Sequence, residues 1–224
     1  MKRYNYVLLD ADQTLFDFER SEAAALSELL LQRGIAPEQR LLRLYHEIND
    51  MMWKAYERGE ITQDALKIRR FELFSAQTGI QEHAEQLAKE YMNRLSQQAF
   101  LFEGARELLC FLAEKYSLAL VTNGVGFIQR SRIEKSGIAD CFQAIVISGE
   151  IGMAKPDAAF VRYALDALAC TKPQQAVLVG DSLSADVQAG RNAGIDTIWF
   201  CPGEKTSELP TYTVRSYKEL MQIL

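Results

Sequence analysis

Two carboxylates one residue apart, Asp10 and Asp12, follow the short apolar run Val7-Leu8-Leu9. A run of this kind reads as a parallel strand buried on both faces. Ligands of open parallel sheets bind beyond the carboxyl ends of the strands, where these two residues would sit. Charges held there are costly unless a cation offsets them. Three further groups recur downstream, each just past another expected strand: Thr122-Asn123-Gly124, Lys155-Pro156, and Gly180-Asp181 with Asp186 five residues on. Taken singly, each has an ordinary explanation. Asp and Asn-Gly are common in turns, lysine is usually solvated, and an aspartate favours a helix N-terminus. Repetition of the same placement, strand end after strand end, is what gives them joint weight.

Together they define a charge problem. Asp10, Asp12, Asp181 and Asp186 bring four negative charges to one crevice and Lys155 brings one positive charge. A phosphate dianion could join them only with a hard divalent cation present. Carboxylate and carbonyl oxygens without His or Cys select Mg²⁺, which often shares its ligands with a substrate phosphate. A hydroxyl (Thr122) and amides (Asn123, Gly124) in a turn suit phosphate oxygens, and Lys155 is a point charge for the same group. Phosphoryl transfer needs a positioned nucleophile, a cation and a proton donor for the leaving oxygen. All three are available.

The elements that must hold these residues fall into two regions. From about Glu19 to Gln97 no strand-like segment occurs, and four helices are expected, joined by short connections into an antiparallel bundle. Leu26, Leu29 and Leu30 mark the first. Leu41 to Tyr56 marks the second, a third follows a Thr62 cap, and a fourth runs from about Glu82 to Gln98. After Phe102, strands at Leu118–Thr122, Ala144–Ile147, Ala176–Val179 and Ile195–Phe200 alternate with helices, with a last edge strand at Thr211–Val214. That alternation predicts an α/β fold, a doubly wound parallel sheet. Pro156 fits the first position of one of its helices, and Ser216…Glu219 is a capping box opening the last. A lone strand cannot form a sheet, so the first strand belongs with the second region. The expected division is a discontinuous α/β core, 1–16 and 98–224, and an inserted helical cap, 17–97, hung beside Asp10 and Asp12 as a lid.

Composition is that of a soluble globular enzyme: 224 residues, 48% apolar, 25% charged and a net charge of −5. No Lys/Arg run points to nucleic acid or an anionic membrane. The first twenty residues carry three aspartates and no secretory signal, and no apolar run spans a bilayer. Cys110, Cys141, Cys170 and Cys201 are far apart and read as reduced, mostly buried thiols of a cytoplasmic protein. His46 and His83 lack metal-ligand spacing, which argues against zinc and against a His-based triad.

The set Asp10-Ala-Asp12-Gln-Thr14, Thr122, Lys155 and Gly180-Asp181…Asp186 resembles the four motifs of the haloacid dehalogenase superfamily of aspartyl-phosphate phosphatases, in order and across the whole chain. The resemblance implies that Asp10 is the nucleophile and that Asp12 protonates the leaving alcohol and then activates water. It also implies that Thr122 and Lys155 hold the phosphate. Mg²⁺ would be bound by Asp10, the Asp12 carbonyl and Asp181, with Asp186 behind them. The dehalogenases themselves lack a carboxylate at the position of Asp12, so its presence implies a phosphatase. The chain is further similar to the YjjG-type pyrimidine 5′-nucleotidases, through the Asp-Ala-Asp-x-Thr-Leu-Phe start, Trp53…Tyr56…Gly59…Ile61-Thr62…Arg70-Phe71-Glu72, Thr122-Asn-Gly and Gly152-x-Ala-Lys155-Pro156. This likeness implies a small phosphomonoester substrate, a nucleoside 5′-monophosphate. Gln13 departs from the acidic residue expected at its slot, which bears on substrate contacts rather than on the chemistry. Phe16, Phe18, Trp53, Tyr56, Arg70, Phe71 and Phe127 are the candidates to stack on or orient a base, although for any one of them filling the helical bundle is the more ordinary role. No nucleic-acid or membrane partner is expected, and the chain is expected to be a monomer or a weak homo-oligomer. The rival readings are a sugar-phosphate or phosphoglycolate phosphatase, a phosphoglucomutase-like transferase, or a receiver-like or phospho-ligand binding protein without turnover.

Overall fold

The structure is a computed structural model and describes residues 4–224, so the first three positions of the expected 1–16 segment lie outside it. Two compact units divide the chain. One holds the chain through Asp17, Leu101–Gly126 and Ser136–Leu224; the other holds Phe18–Phe100 and Phe127–Lys135.

The first unit is built on six strands: β1 (Tyr6–Leu9), β2 (Ser117–Thr122), β3 (Ala144–Ile147), β4 (Ala176–Gly180), β5 (Asp196–Phe200) and β6 (Tyr212–Val214). They form one sheet in the order β3-β2-β1-β4-β5-β6, with every pairing parallel. The chain leaves β1 for β2 on one side and later returns to β4 on the other. β1 is therefore the topological switch point, and the crevice of a doubly wound sheet opens at its carboxyl end. Val7, Leu8 and Leu9 are fully buried, as an apolar run covered on both faces must be. Alternation sorts them: Leu8, Ala119, Val121, Val146 and Leu178 point to one side of the sheet. There they pack against Phe160, Val161, Ala164 and Leu165 of α8 (Ala158–Ala167).

Two local expectations are corrected here. Pro156 does not begin a helix. Asp157 caps α8, its side chain accepting from Ala159 N at 2.8 Å, and Pro156 precedes the cap after a cis Lys155–Pro156 bond. The segment Ser148–Ala154 is not plain loop but contains the short helix α7 (Ser148–Ile151). The cysteines also differ from expectation: all four are free, but only Cys201 is buried, while Cys110 is exposed.

The second unit packs α1 (Phe18–Leu31), α2 (Gln39–Glu57), α3 (Gln63–Thr78) and α4 (Ala84–Leu95) as a four-helix bundle in which consecutive helices touch and α4 closes back on α1. Thr62 caps α3 by accepting from Ala65 N, and Gly79 ends it at φ +76°, a left-handed conformation suited to glycine. Tyr45, Phe71, Phe74 and Tyr91 form the aromatic centre, with ring centroids 5.0–5.5 Å apart.

The unit is completed by Phe127–Lys135, most of the helix α6 (Gly126–Ser136), which the sequence assigned to the core. The reason is tertiary. Arg132, 1% exposed, donates from Nε to the Gln98 carbonyl at 3.0 Å, and the Ser131 hydroxyl donates to the Ser96 carbonyl at 2.8 Å. The same bonds draw residues 98–100 into the helical unit rather than the core. Among the described residues no helix is long and apolar enough to cross a membrane.

Candidate active site

All the carboxylates, the threonine and the lysine singled out in the sequence belong to the first unit, and they stand at the carboxyl ends of β1, β2 and β4 or, for Lys155 and the others, in the segments that follow these strands and β3. Asp10 directly follows β1; its N–H donates to the Val179 carbonyl at 2.9 Å, which carries the ladder one residue past the strand. The chain then folds tightly. Leu15 and Phe16 both donate to the Ala11 carbonyl, Gln13 adopts φ +59°, and Asp12 stays partly exposed above the buried Asp10. The Tyr217 hydroxyl holds the loop from below by donating to the Thr14 carbonyl at 2.7 Å.

Lys155 is the hub. It is 2% exposed, so the reading of a solvated surface lysine does not hold. Its ammonium donates to Asp10 Oδ1 at 2.5 Å, Asp186 Oδ1 at 2.6 Å and the Val121 carbonyl at 3.1 Å, using all three of its N–H groups. Burial alone would lower its pKa, but the charges of Asp10 and Asp186 outweigh that and raise it, so it remains an ammonium. Asp10 is pushed up to about 7, chiefly by burial; Lys155 opposes the shift and the negative charge of Asp186 adds to it. Asp181 lies well above the usual carboxylate range for the same reasons, burial first and then the neighbouring charges of Asp10 and Asp186. Three carboxylates around one ammonium are short of positive charge.

That deficit identifies where a cation fits. One oxygen each from Asp10, Asp181 and Asp186 lie within 4.8 Å of one another. The donors are hard oxygens with no His or Cys among them, which fits Mg²⁺. Asp10 and Asp181 have oxygens that could hold it. Asp186 is already committed to Lys155 and to the Ser182 N–H, which donates to its Oδ2 at 3.0 Å.

Two features that serve the site carry little signal in the sequence. The turn Leu183–Val187 is a π-helix, not the start of a regular α-helix, and it swings Asp186 back over the end of β4. A Cβ on Gly180 would lie 2.2 Å from Asp186 Cγ, so only glycine leaves room for that carboxylate. The other feature is Trp199 of β5, whose indole N–H donates to the Asp181 carbonyl at 2.6 Å; in sequence it reads simply as an apolar strand residue.

Thr122, buried at the end of β2, accepts from the Gly124 N–H at 3.3 Å. The Asn123 side-chain amide is bonded to the backbone of Lys155 at both ends. In the helical unit, Arg70 and Phe71 are interior side chains. Arg70 donates from Nη1 to Asn49 Oδ1 at 2.8 Å and lies over the Tyr91 ring, while Phe71 is wholly enclosed in the aromatic centre. They hold the bundle together and leave no free face for a base. Trp53 is partly exposed, edge-on to Tyr56, and Phe127 is half exposed.

Comparison with known proteins agrees with this geometry. Residues 7–200 match the haloacid dehalogenase-like hydrolase family. The chain is 37% identical to the Streptococcus pneumoniae pyrimidine 5′-nucleotidase PynA, over 99% of this chain and 95% of that protein. It is 29% identical to the Escherichia coli pyrimidine 5′-nucleotidase YjjG, over 99% and 98%. A crystal structure of the Bacillus subtilis HAD-hydrolase YfnB, described as bound to magnesium with interdomain movement, superposes with a TM-score of 0.93 at 32% identity, covering 99% of both chains. An aspartate triad beside one buried lysine, at the switch point of a parallel sheet, and a family match across most of the chain lead to one assignment: the chain belongs to the haloacid dehalogenase-like hydrolases.

Proposed function

We propose that this hydrolase is a Mg²⁺-dependent phosphatase of the cytoplasm that cleaves nucleoside 5′-monophosphates carrying a pyrimidine base. For the chemistry, the observation that carries the reading is Asp10: a strand-end carboxylate fixed by Lys155, with Asp12 two residues on. For the substrate, it is full-length similarity to two proteins named pyrimidine 5′-nucleotidases.

The Asp10 carboxylate attacks phosphorus, forming an aspartyl-phosphate as the bond to the 5′-oxygen breaks, and Asp12 gives its proton to that oxygen. Asp12, now a base, takes a proton from water, and the water's oxygen displaces Asp10 from phosphorus. The carboxylate is thereby regenerated, with its proton returned to Asp12. Lys155 and Thr122 hold the phosphate oxygens through both steps, with the Gly124 amide beside them. Asp10 and Asp181 would hold Mg²⁺, which would supply positive charge against the phosphate and the carboxylate cluster.

The test is phosphate release from dUMP, UMP, dTMP, dAMP, dGMP, phosphoglycolate and glucose phosphates, with Mg²⁺ and with EDTA. Turnover concentrated on the pyrimidine nucleotides, lost in EDTA and reduced about 10³-fold or more in Asp10→Asn, is the expected result. Turnover concentrated on sugar phosphates would keep the mechanism and overturn the substrate.

A further inference from the structure

Lys155 reaches Asp10 and Asp186 through a long, flexible stem with four rotatable bonds, so contacts at its tip do not by themselves set where its backbone lies. Its backbone is set by Asn123. The Asn123 amide Nδ2 donates to the Lys155 carbonyl at 2.8 Å, and the Lys155 N–H donates back to Asn123 Oδ1 at 2.8 Å. A primary amide here does what a neighbouring strand would do, pairing with both polar groups of one residue. The bonds join the segment after β2 to the segment after β3, 32 residues apart. At the other end, the Lys155 tip donates back to the carbonyl of Val121 in β2. The lysine is thus held to the same strand end from its backbone and from its tip.

The side chain is specific for this task. Aspartate would keep an acceptor but turn a carboxylate toward the Lys155 carbonyl, and alanine would leave a buried N–H and C=O without these partners.

We propose that the Asn123 side chain is a positioning group of the reaction, which acts by aligning Lys155 through this two-ended amide clasp and not by binding the phosphate itself. The proposal rests on the role assigned above to Lys155, but not on which base the substrate carries. Small displacements of such a group are expensive: about 1 Å of misplacement can cost about 10²-fold in rate.

The experiment combines two readouts on Asn123→Ala, Asn123→Asp and the unaltered chain. The first is acetylation of each lysine by acetic anhydride, followed by mass spectrometry. In the unaltered chain Lys155 is expected to react more slowly than the exposed lysines, because it is enclosed and triply bonded. In both variants its labelling is expected to rise about tenfold while other lysines are unchanged, a selectivity that general loosening of the fold would not produce. The second is turnover of p-nitrophenyl phosphate with Mg²⁺, expected to fall about 10–100-fold, to a similar extent in both variants.

Direct contact between Asn123 and phosphate predicts something else. The aspartate variant would then be far worse than the alanine variant, through repulsion of the dianion, with Lys155 labelling unchanged. That result overturns the proposal, as would full activity in both variants. Failure of the nucleotidase assignment would appear only in the substrate panel and would leave the labelling pattern as stated.

Discussion

At the scale of single residues, Gly180 and Asp186 depend on each other. Asp186 occupies the space a Cβ would need on Gly180, with Asp186 Cγ, Oδ2 and Cβ at 2.2, 2.3 and 2.6 Å from that position. Because an aspartate side chain is short, it cannot swing clear without leaving Lys155, to which it is bonded at 2.6 Å. Gly180→Ala is therefore expected to reduce turnover about 10²-fold and to destabilise the fold by about 1–3 kcal/mol, the usual cost of overpacking. Urea unfolding alongside phosphate release measures both. Wild-type activity in a stable Gly180→Ala protein would show that Asp186 is not needed where it stands.

At the scale of elements, two contacts transmit position into sites their sequences do not advertise. β5 pairs with β4 in register, Gly180 opposite Trp199, and this brings the indole N–H to the carbonyl of Asp181. Trp199→Phe keeps the apolar body but leaves that carbonyl without its donor. Outer partners of this kind typically matter about 10–100-fold to metal affinity. We expect Mg²⁺ binding, followed by calorimetry without substrate, to weaken about tenfold, and wild-type affinity would exclude this role.

The second contact is α6. Arg132 is the largest fully buried side chain, bonded to the Gln98 carbonyl and to Gln129 Oε1, with Phe18 5.7 Å from its guanidinium. Arg132→Ala strips those acceptors of a charged donor and opens a cavity, at an expected cost of about 2–4 kcal/mol. Proteolysis should report it as faster cleavage near residues 96–100, and an unchanged cleavage rate would mean that α6 does not secure that segment.

At the scale of the whole molecule, stability should depend on pH through a buried polar chain in the helical unit. Arg70 donates to Asn49, Asn49 donates to Glu22 Oε1 at 2.7 Å, and Glu22 Oε2 lies 2.7 Å from His46 Nδ1. The hydrogen bond to Glu22 raises His46 to about 8, against a partial burial that would lower it; the negative charges of Glu22, Glu19 and Asp50 add to the rise. A folded value above the ordinary 6.5 means that this stabilisation is complete below about pH 6.5 and is lost as the pH rises through 8. Glu22 is itself raised, chiefly by burial, so its ionisation above the ordinary 4.5 works in the same direction. The imidazole is 45% exposed, and solvent screening limits its contribution to about 1 kcal/mol or less. The thermal midpoint should fall between pH 6.5 and 8.5, and His46→Gln should flatten that fall. A profile of the same slope in the variant would assign the pH dependence elsewhere.

The order of residues alone determined the parallel sheet and placed Asp10, Thr122 and Asp181 at strand ends, because apolar runs, helical periodicity and turn residues are local signals. It also exposed the shortage of positive charge that calls for a cation, since charge can be counted without coordinates. Tertiary structure decided what depends on groups far apart in the chain. Lys155 becomes a buried hub only when folding brings it to Asp10, 145 residues away. Arg70 and Phe71 read as ligand contacts in the sequence but turn inward, because a helix in a bundle must bury one face and periodicity does not say what lies opposite. The helix α6 joins the bundle through Arg132, and Trp199 reaches Asp181 across a strand pair. In each case the deciding energy is a contact between side chain and distant backbone, and such contacts exist only after the chain has closed on itself.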